Sequence, residues 1–272
     1  MNEQSAAAVA AAPCRAEEPA VALNRLSVTF TQPDGGEHEV LRELCLEVPR
    51  GQFIALVGRS GGGKTTILNV LTGLVAPTSG EVAVLGVRPT EARSRIGFVP
   101  ARDALLPWRT ALRNVEYSLE LRGIARQERK RSARHYLSLV GLEDASHRWP
   151  WQLSQGMRQR VALVRAWAVE PQLLLMDEPF AALDADTRQS VRAKFQALLQ
   201  GGPPRTVVFV THDLDEAVLM ADRVTVLSGG RITADTLVPP RSAQDAAADE
   251  LTGAHRALLR KLRDALREDE RA

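Results

Sequence analysis

Residues 58–65 read G-R-S-G-G-G-K-T and follow directly on the apolar run F-I-A-L-V of residues 53–57. No other feature of the chain restricts its fold as much. Glycines at Gly58, Gly61, Gly62 and Gly63 let successive backbone N–H groups wrap a phosphate without interference from a Cβ. Lys64 then reaches the β- and γ-oxygens, the Thr65 hydroxyl binds Mg2+, and a helical pattern from Thr66 onward presents its N-terminus to the anion. Arg59, Ser60 and Thr66 complete the loop around the phosphates. Strand, glycine loop and helix in this order point to nucleoside-triphosphate binding rather than to a glycine-rich turn without function.

The run 53–57 ends at Gly58, as expected of a strand buried on both faces. Three more such runs follow: residues 173–176 ending at Asp177, residues 207–210 ending at Thr211-His212, and residues 224–227. Helical patterns follow the first three, which predicts an α/β fold with a parallel sheet flanked by helices and polar residues at the strand C-terminal ends. Residues 21–47 and 81–99 read as short alternating strands and predict an antiparallel β layer, and residues 112–159 are mostly helical in pattern. Asp177, at a buried strand's end and facing the phosphate loop, is placed to hold Mg2+. Glu178, one residue on, is free to take a proton from an attacking water; the alternative is a pair of simple surface acids.

Composition narrows the class. Thirty-five basic against thirty-three acidic residues leave +2, so no global field announces nucleic acid or an anionic membrane. Two cysteines, Cys14 and Cys45, exclude a disulfide scaffold and a four-thiolate zinc site. No stretch approaches the roughly 20 apolar residues that cross a bilayer; residues 161–176 are interrupted by Arg165, Glu170 and Pro171. A soluble intracellular protein is expected. The alanine-rich residues 1–20 lack a basic start and a leucine-rich run, so they read as a disordered tail and not as a secretory signal, and Ala12-Pro13-Cys14 lacks the charged start of a lipoprotein signal. After Pro239-Pro240, Ser242 with Asp245 marks a helix start, and Leu251, Leu258, Leu259, Leu262 and Leu266 recur at helical spacing. This C-terminal extension, 237–272, either packs on its own domain or serves as a docking or regulatory helix.

Residues 153–160 read L-S-Q-G-M-R-Q-R, about ninety residues after Lys64 and about twenty before Asp177. They resemble the signature of ATP-binding cassette (ABC) ATPases, in an L-S-Q-G variant. Pro150, the A-A-L-D of residues 181–184 and the T-H-D of residues 211–213 are similar to further elements of that family. The resemblance spans residues 21–231 and implies a P-loop ATPase domain over 21–236 with an inserted helical subdomain at about 102–159. It implies a head-to-tail homodimer in which Ser154 and Gly156 touch the γ-phosphate held by the opposite protomer. His212 would contact the γ-phosphate and hold the attacking water in line with Glu178, Asp184 would link the two sites, and ATP with Mg2+ would be the bound species. Phe30, 28 residues before Gly58, matches the aromatic that stacks on adenine, and equally suits a strand core.

Residues 105–110, L-L-P-W-R-T, with Asn114 and Val115, look like the nitrate/sulfonate/taurine importer branch of the family. That branch implies ATP hydrolysis coupled to uptake of a small anion through separate transmembrane permease subunits and a substrate-binding protein, on the cytoplasmic face of the inner membrane. Trp108 then lies at the permease groove, or else fills the core. One departure stands out: residues 97–103 read G-F-V-P-A-R-D, and Ala101 occupies the place of the family's glutamine, which contacts Mg2+ and water. A lost bond to a charged centre is worth roughly 1.5–3 kcal/mol, about ten- to a hundredfold in rate, so an active but slowed or differently coupled ATPase is expected. Arg102 or Asp103 is a possible stand-in.

Other classes remain open on sequence. Exporter ATPases share the nucleotide elements, and a regulatory module that binds ATP without turnover is compatible with Ala101. A nucleic-acid-associated cassette is disfavoured, because about ninety residues between phosphate loop and signature leave no room for a long coiled coil. The basic residues Arg122, Arg126, Arg129, Lys130, Arg131 and Arg134 read as a solvated helix face before a phosphate-binding one, and no nucleic acid is expected as partner.

Overall fold

The computed structural model describes residues 18–33, 35–201, 204–240 and 251–268. Its centre is a six-stranded sheet of order β5-β6-β7-β3-β8-β9, formed by β3 (Phe53–Val57), β5 (Ile96–Val99), β6 (Leu173–Asp177), β7 (Thr206–Thr211), β8 (Arg223–Ser228) and β9 (Arg231–Leu237). The first five strands of that order are parallel, and β9 closes one edge antiparallel to β8. A second, three-stranded antiparallel sheet has order β2-β1-β4, with β1 Val21–Thr31, β2 Glu37–Val48 and β4 Ser79–Val84.

The continuous apolar runs are continuous because both faces of the central sheet are covered. Phe53, Ala55, Val57, Leu174, Met176, Val207 and Phe209 point into one core, and Ile54, Leu56, Leu173, Leu175, Val208 and Val210 into the other. The first core is closed by α5 (Gln155–Trp167), α6 (Ala185–Gln200), α7 (Leu214–Met220) and α8 (Gly253–Glu268). The second is closed by α1 (Lys64–Leu71) and the antiparallel sheet. A short α2 (Pro89–Ala92) leads into β5. Between β5 and β6, α3 (Ala111–Leu121) and α4 (Arg126–Leu139) pack with α5 around Val115, Leu119, Leu137 and Val161 as a third core.

Several expectations shift in detail. The helix after the glycine loop begins at Lys64, directly after Gly63 at its N-cap, and not at Thr66. Residues 96–99 join the parallel sheet beside β6 rather than the antiparallel layer. The helical segment runs beyond 159, because α5 continues to Trp167. At the N-terminal end, residues 1–17 lie outside the described residues, but Ala20 is buried and its N–H donates to the Val48 carbonyl at 2.8 Å, so packing begins before Val21. Ser242 and Asp245 also lie outside the described residues. The C-terminal helix packs on its own chain: Leu258, Leu259 and Leu262 are buried in the first core, and fully buried His255 contacts the Pro239 carbonyl at 2.9 Å. No helix among the described residues is long and apolar enough to cross a membrane.

Candidate functional site

The C-terminal edge of the parallel sheet gathers the polar residues. β3 ends at Gly58, where a Cβ would lie 2.2 Å from the Leu227 carbonyl oxygen on β8, so the chain can turn there only without a side chain. Gly63 caps α1 with φ +92, and a Cβ there would press within 2.5 Å of Leu41 on β2. The loop between them and the first turn of α1 enclose a cavity of about 360 Å3, lined by Val40, Ser60, Gly61, Lys64, Thr65 and Glu178 among others. Gly63 and Thr66 also line it, while Arg59 and Ser60 are exposed.

Lys64 is buried, and its ammonium donates to the carbonyls of Gly58 and Arg59, each at 2.7 Å. Burial pulls its pKa below the usual 10.5, opposed by the carboxylates of Glu178 and Asp177. The Thr65 hydroxyl donates to Asp177 Oδ2 at 2.9 Å, joining helix α1 to the end of β6 across the sheet. Burial raises the Asp177 pKa, while the Thr65 bond and the Lys64 charge act the other way. A hydroxyl and a carboxylate side by side are hard oxygen donors of the kind Mg2+ takes beside substrate phosphates.

Glu178 follows with φ +46, a left-handed conformation that costs an L residue about 1–2 kcal/mol. Its N–H donates to the Val210 carbonyl on β7 at 2.9 Å, and its carboxylate lies 3.2 Å from His212 Nδ1. His212 is held from behind by a network that the sequence reading missed. Thr211 donates to buried Glu216 at 2.6 Å, and Asp213 N–H donates to the Thr211 hydroxyl at 3.1 Å. Asp213 in turn caps α7 by accepting from the N–H groups of Asp215 and Glu216. The signal for it in the sequence is the T-H-D-L-D-E order of residues 211–216, of which the family resemblance uses only T-H-D.

The other predicted residues lie apart from this cavity. Ser154 caps α5, accepting from Met157 N–H at 3.3 Å, and neither it nor Gly156 lines this cavity. A Cβ on Gly156 would stand 3.1 Å from Leu183, so the signature turn packs beside residues 181–184. Asp184 caps α6, and its bond from Thr187 N–H holds its carboxyl below the usual range. Phe30 is 41% exposed, which removes the core alternative; it pairs with His38 on β2, two residues from Val40 of the cavity wall. Trp108 is 69% exposed and likewise fills no core. Its loop is set by fully buried Asn114, whose amide donates to the carbonyls of Leu106, Arg109 and Thr110 and accepts from Leu106 N–H. Ala101 is exposed, and Asp103 is no stand-in for a glutamine, because its carboxylate is taken up by Arg158 at 2.8 Å and by Leu105 N–H.

The family profile described as ABC transporter matches residues 41–181. An uncharacterized ABC transporter ATP-binding protein of Methanocaldococcus jannaschii is 40% identical over 233 residues, covering 85% of this chain and 87% of that protein. The bicarbonate transport ATP-binding protein CmpC of Synechocystis sp. and the nitrate import ATP-binding protein NrtC of Synechococcus elongatus are each 40% identical over 212 residues. Each match covers 77% of this chain, which spans 32% of the length of those two relatives. Among solved structures, a dimeric ATP-binding cassette in a post-hydrolysis state, bound to ADP and Pi, superposes with a TM-score of 0.75 at 32% identity, over 81% of this chain and 100% of that one.

Proposed function

We propose, from the premise that the chain belongs to the ABC transporter family and carries its ATPase domain, that it is the ATP-hydrolysing subunit of an importer for a small anion. The observation that carries the reading is the position of Glu178, which lines the phosphate cavity beside Lys64 and touches His212. A water placed between Glu178 and the γ-phosphate gives its proton to the carboxylate as its oxygen attacks phosphorus. The bond to the β–γ bridging oxygen breaks, and ADP and phosphate leave. Lys64 offsets charge on the β- and γ-oxygens, and the N–H groups of α1 supply the rest of the anion cradle. His212 keeps Glu178 and the water in register. Thr65 and Asp177 would hold Mg2+, which would supply electrostatic stabilisation of the phosphate oxygens.

Ser154 and Gly156 at the start of α5 belong, in this reading, to the site of a second copy, whose ATP they close over. Asp184 then communicates between the two sites, and Phe30 stacks on adenine. Importer identity is supported by relatives named for bicarbonate and nitrate transport and by the exposed Trp108 on a rigid loop suited to docking a permease. Transmembrane permease subunits and a substrate-binding protein are the proposed partners, with the ATPase dimer peripheral on the cytoplasmic face of the membrane. Domain limits of 21–236, with a helical subdomain near 102–159 and the extension 237–272, go with this reading. Phosphate release by the purified chain with Mg-ATP tests the enzyme, and ATP-dependent anion uptake after reconstitution with the permease tests the importer. A protein that binds ATP saturably yet releases no phosphate in either setting would instead be a regulatory module, the alternative that Ala101 leaves open.

A further inference from the structure

The strap that leaves β5 is bare at one end and riveted at the other. Val99 pairs with Met176, so residues 100 and 101 emerge beside the strand end that carries Asp177 and Glu178. Ala101 brings no polar side-chain atom to that end. Two residues on, the strap is drawn onto α5: Asp103 Oδ2 accepts from Arg158 Nε at 2.8 Å. Arg165, further along the same helix, donates to the carbonyls of Asp103 and Ala104 at 3.1 and 2.9 Å. Ala104 sits at φ +44, a conformation that a non-glycine residue keeps only when its surroundings hold it. Arg158 also donates to the Leu153 carbonyl at 2.9 Å, immediately before Ser154. One guanidinium therefore grips both the strap and the turn that opens the signature.

The two arginines divide the work. Arg165 anchors backbone carbonyls alone; burial lowers its pKa, with the Asp103 charge opposing. The Asp103–Arg158 side chains are 24% and 31% exposed, and such a pair contributes little to global stability. Its geometric effect is larger, because a phosphate contact at a helix N-terminus is useful only when the first turn is held in place beforehand. We propose that Asp103, acting through Arg158, is a positioning residue that fixes Ser154 and Gly156 relative to the strand end bearing Asp177 and Glu178. The strap thereby couples the phosphate site to the signature as a strut, in a chain whose residue 101 has an apolar side chain. This rests on the reading of Ser154 and Gly156 as contacts to the ATP of a second copy.

The test uses the full chain in a Glu178→Gln background, with Asp103→Asn, Arg158→Gln and the two combined. Light scattering gives the ATP concentration at half-dimerisation, a fluorescent ATP analogue gives the affinity of the single chain, and melting gives stability. Two pairs per dimer are lost, so each single change raises the midpoint about three- to tenfold, and the double is no worse than the worse single. Affinity of the single chain and melting temperature stay at the parent values. Unchanged midpoints, or effects that multiply in the double, overturn the strut. A Glu178→Gln parent that binds ATP and stays monomeric overturns the two-copy reading itself, and the strut with it.

Discussion

His212 Nδ1 lies 3.2 Å from Glu178 Oε1, and the contact joins the ends of two neighbouring parallel strands, β6 and β7. Glu178 is set by its backbone N–H to the Val210 carbonyl, and His212 by the Thr211 side chain beside it, whose hydroxyl accepts from Asp213 N–H and donates to Glu216. Glu178→Gln keeps the shape of the side chain and removes its basicity. Turnover in a phosphate-release assay is expected to fall by about a hundredfold or more, with ATP affinity retained. His212→Ala is expected to lower turnover in the same direction. A Glu178→Gln protein that hydrolyses ATP at the parent rate would remove Glu178 from the chemistry.

Ala101 leads to the opposite sign. Position 101 is exposed at the end of β5, and no neighbouring acid replaces the missing amide, since Asp103 is committed to Arg158. Ala101→Gln restores a polar side chain beside the Asp177 end of the sheet. A bond regained to a charged centre, at roughly 1.5–3 kcal/mol, corresponds to about a ten- to hundredfold rise in turnover. The check is steady-state hydrolysis of the two proteins side by side, and equal rates would show that residue 101 is not what limits this enzyme.

Glu216 makes stability depend on pH. Burial raises its pKa above the usual 4.5, with the Thr211 bond and the Arg192 and Arg188 charges opposing and Asp213 adding to the rise. Between 4.5 and that raised value the folded state holds a proton that the unfolded state has released, so stability falls as pH rises through this window. Glu216→Gln keeps an oxygen to accept from Thr211 and removes the charge. It is expected to flatten this part of the stability–pH curve and to raise the melting temperature at pH values above the window. Parallel curves for the two proteins, measured by thermal melts from acid to neutral pH, would show that Glu216 is not the group responsible.

The parts legible in the sequence are those whose physics is local. Residues 53–57 and 173–177 announce themselves as strands because burial on both faces demands an unbroken apolar run, and the glycine loop because only glycine fits against Leu227 and Leu41. β5 reads as part of the antiparallel layer for the converse reason: it has four residues and lies at the sheet edge, with Ile96 and Phe98 half-buried, so its alternation is that of a one-sided strand. Whether the C-terminal leucines face inward is set by α7 and β8, far away in sequence, and no periodicity reports it. The Asp103–Arg158 pair is hidden for the same reason, as is Glu216, which reads as one more acid in the first turn of a helix until Thr211 is found against it.

Two glycines of the phosphate loop separate steric from conformational necessity. At Gly58 a Cβ would fall 2.2 Å from a backbone oxygen of β8, so either the loop or the central sheet has to move. At Gly61 a Cβ meets nothing within 4 Å, and the only obstacle is φ +81. Gly58→Ala is therefore expected to cost about 3 kcal/mol or more, the upper range of overpacking, and Gly61→Ala about 1–2 kcal/mol of left-handed strain. At about 2–4 °C per kcal/mol for a domain of this size, melting temperature falls by roughly 6–12 °C in the first case and a few degrees in the second. Nucleotide separates the variants further: saturating ATP is expected to raise the melting temperature of Gly61→Ala nearly as much as that of the parent, because its backbone N–H groups keep their places. Gly58→Ala is expected to gain little, since the turn that aims those groups is the part that has shifted. Equal losses in the two variants, with equal recovery on adding ATP, would mean that β8 does not constrain the loop.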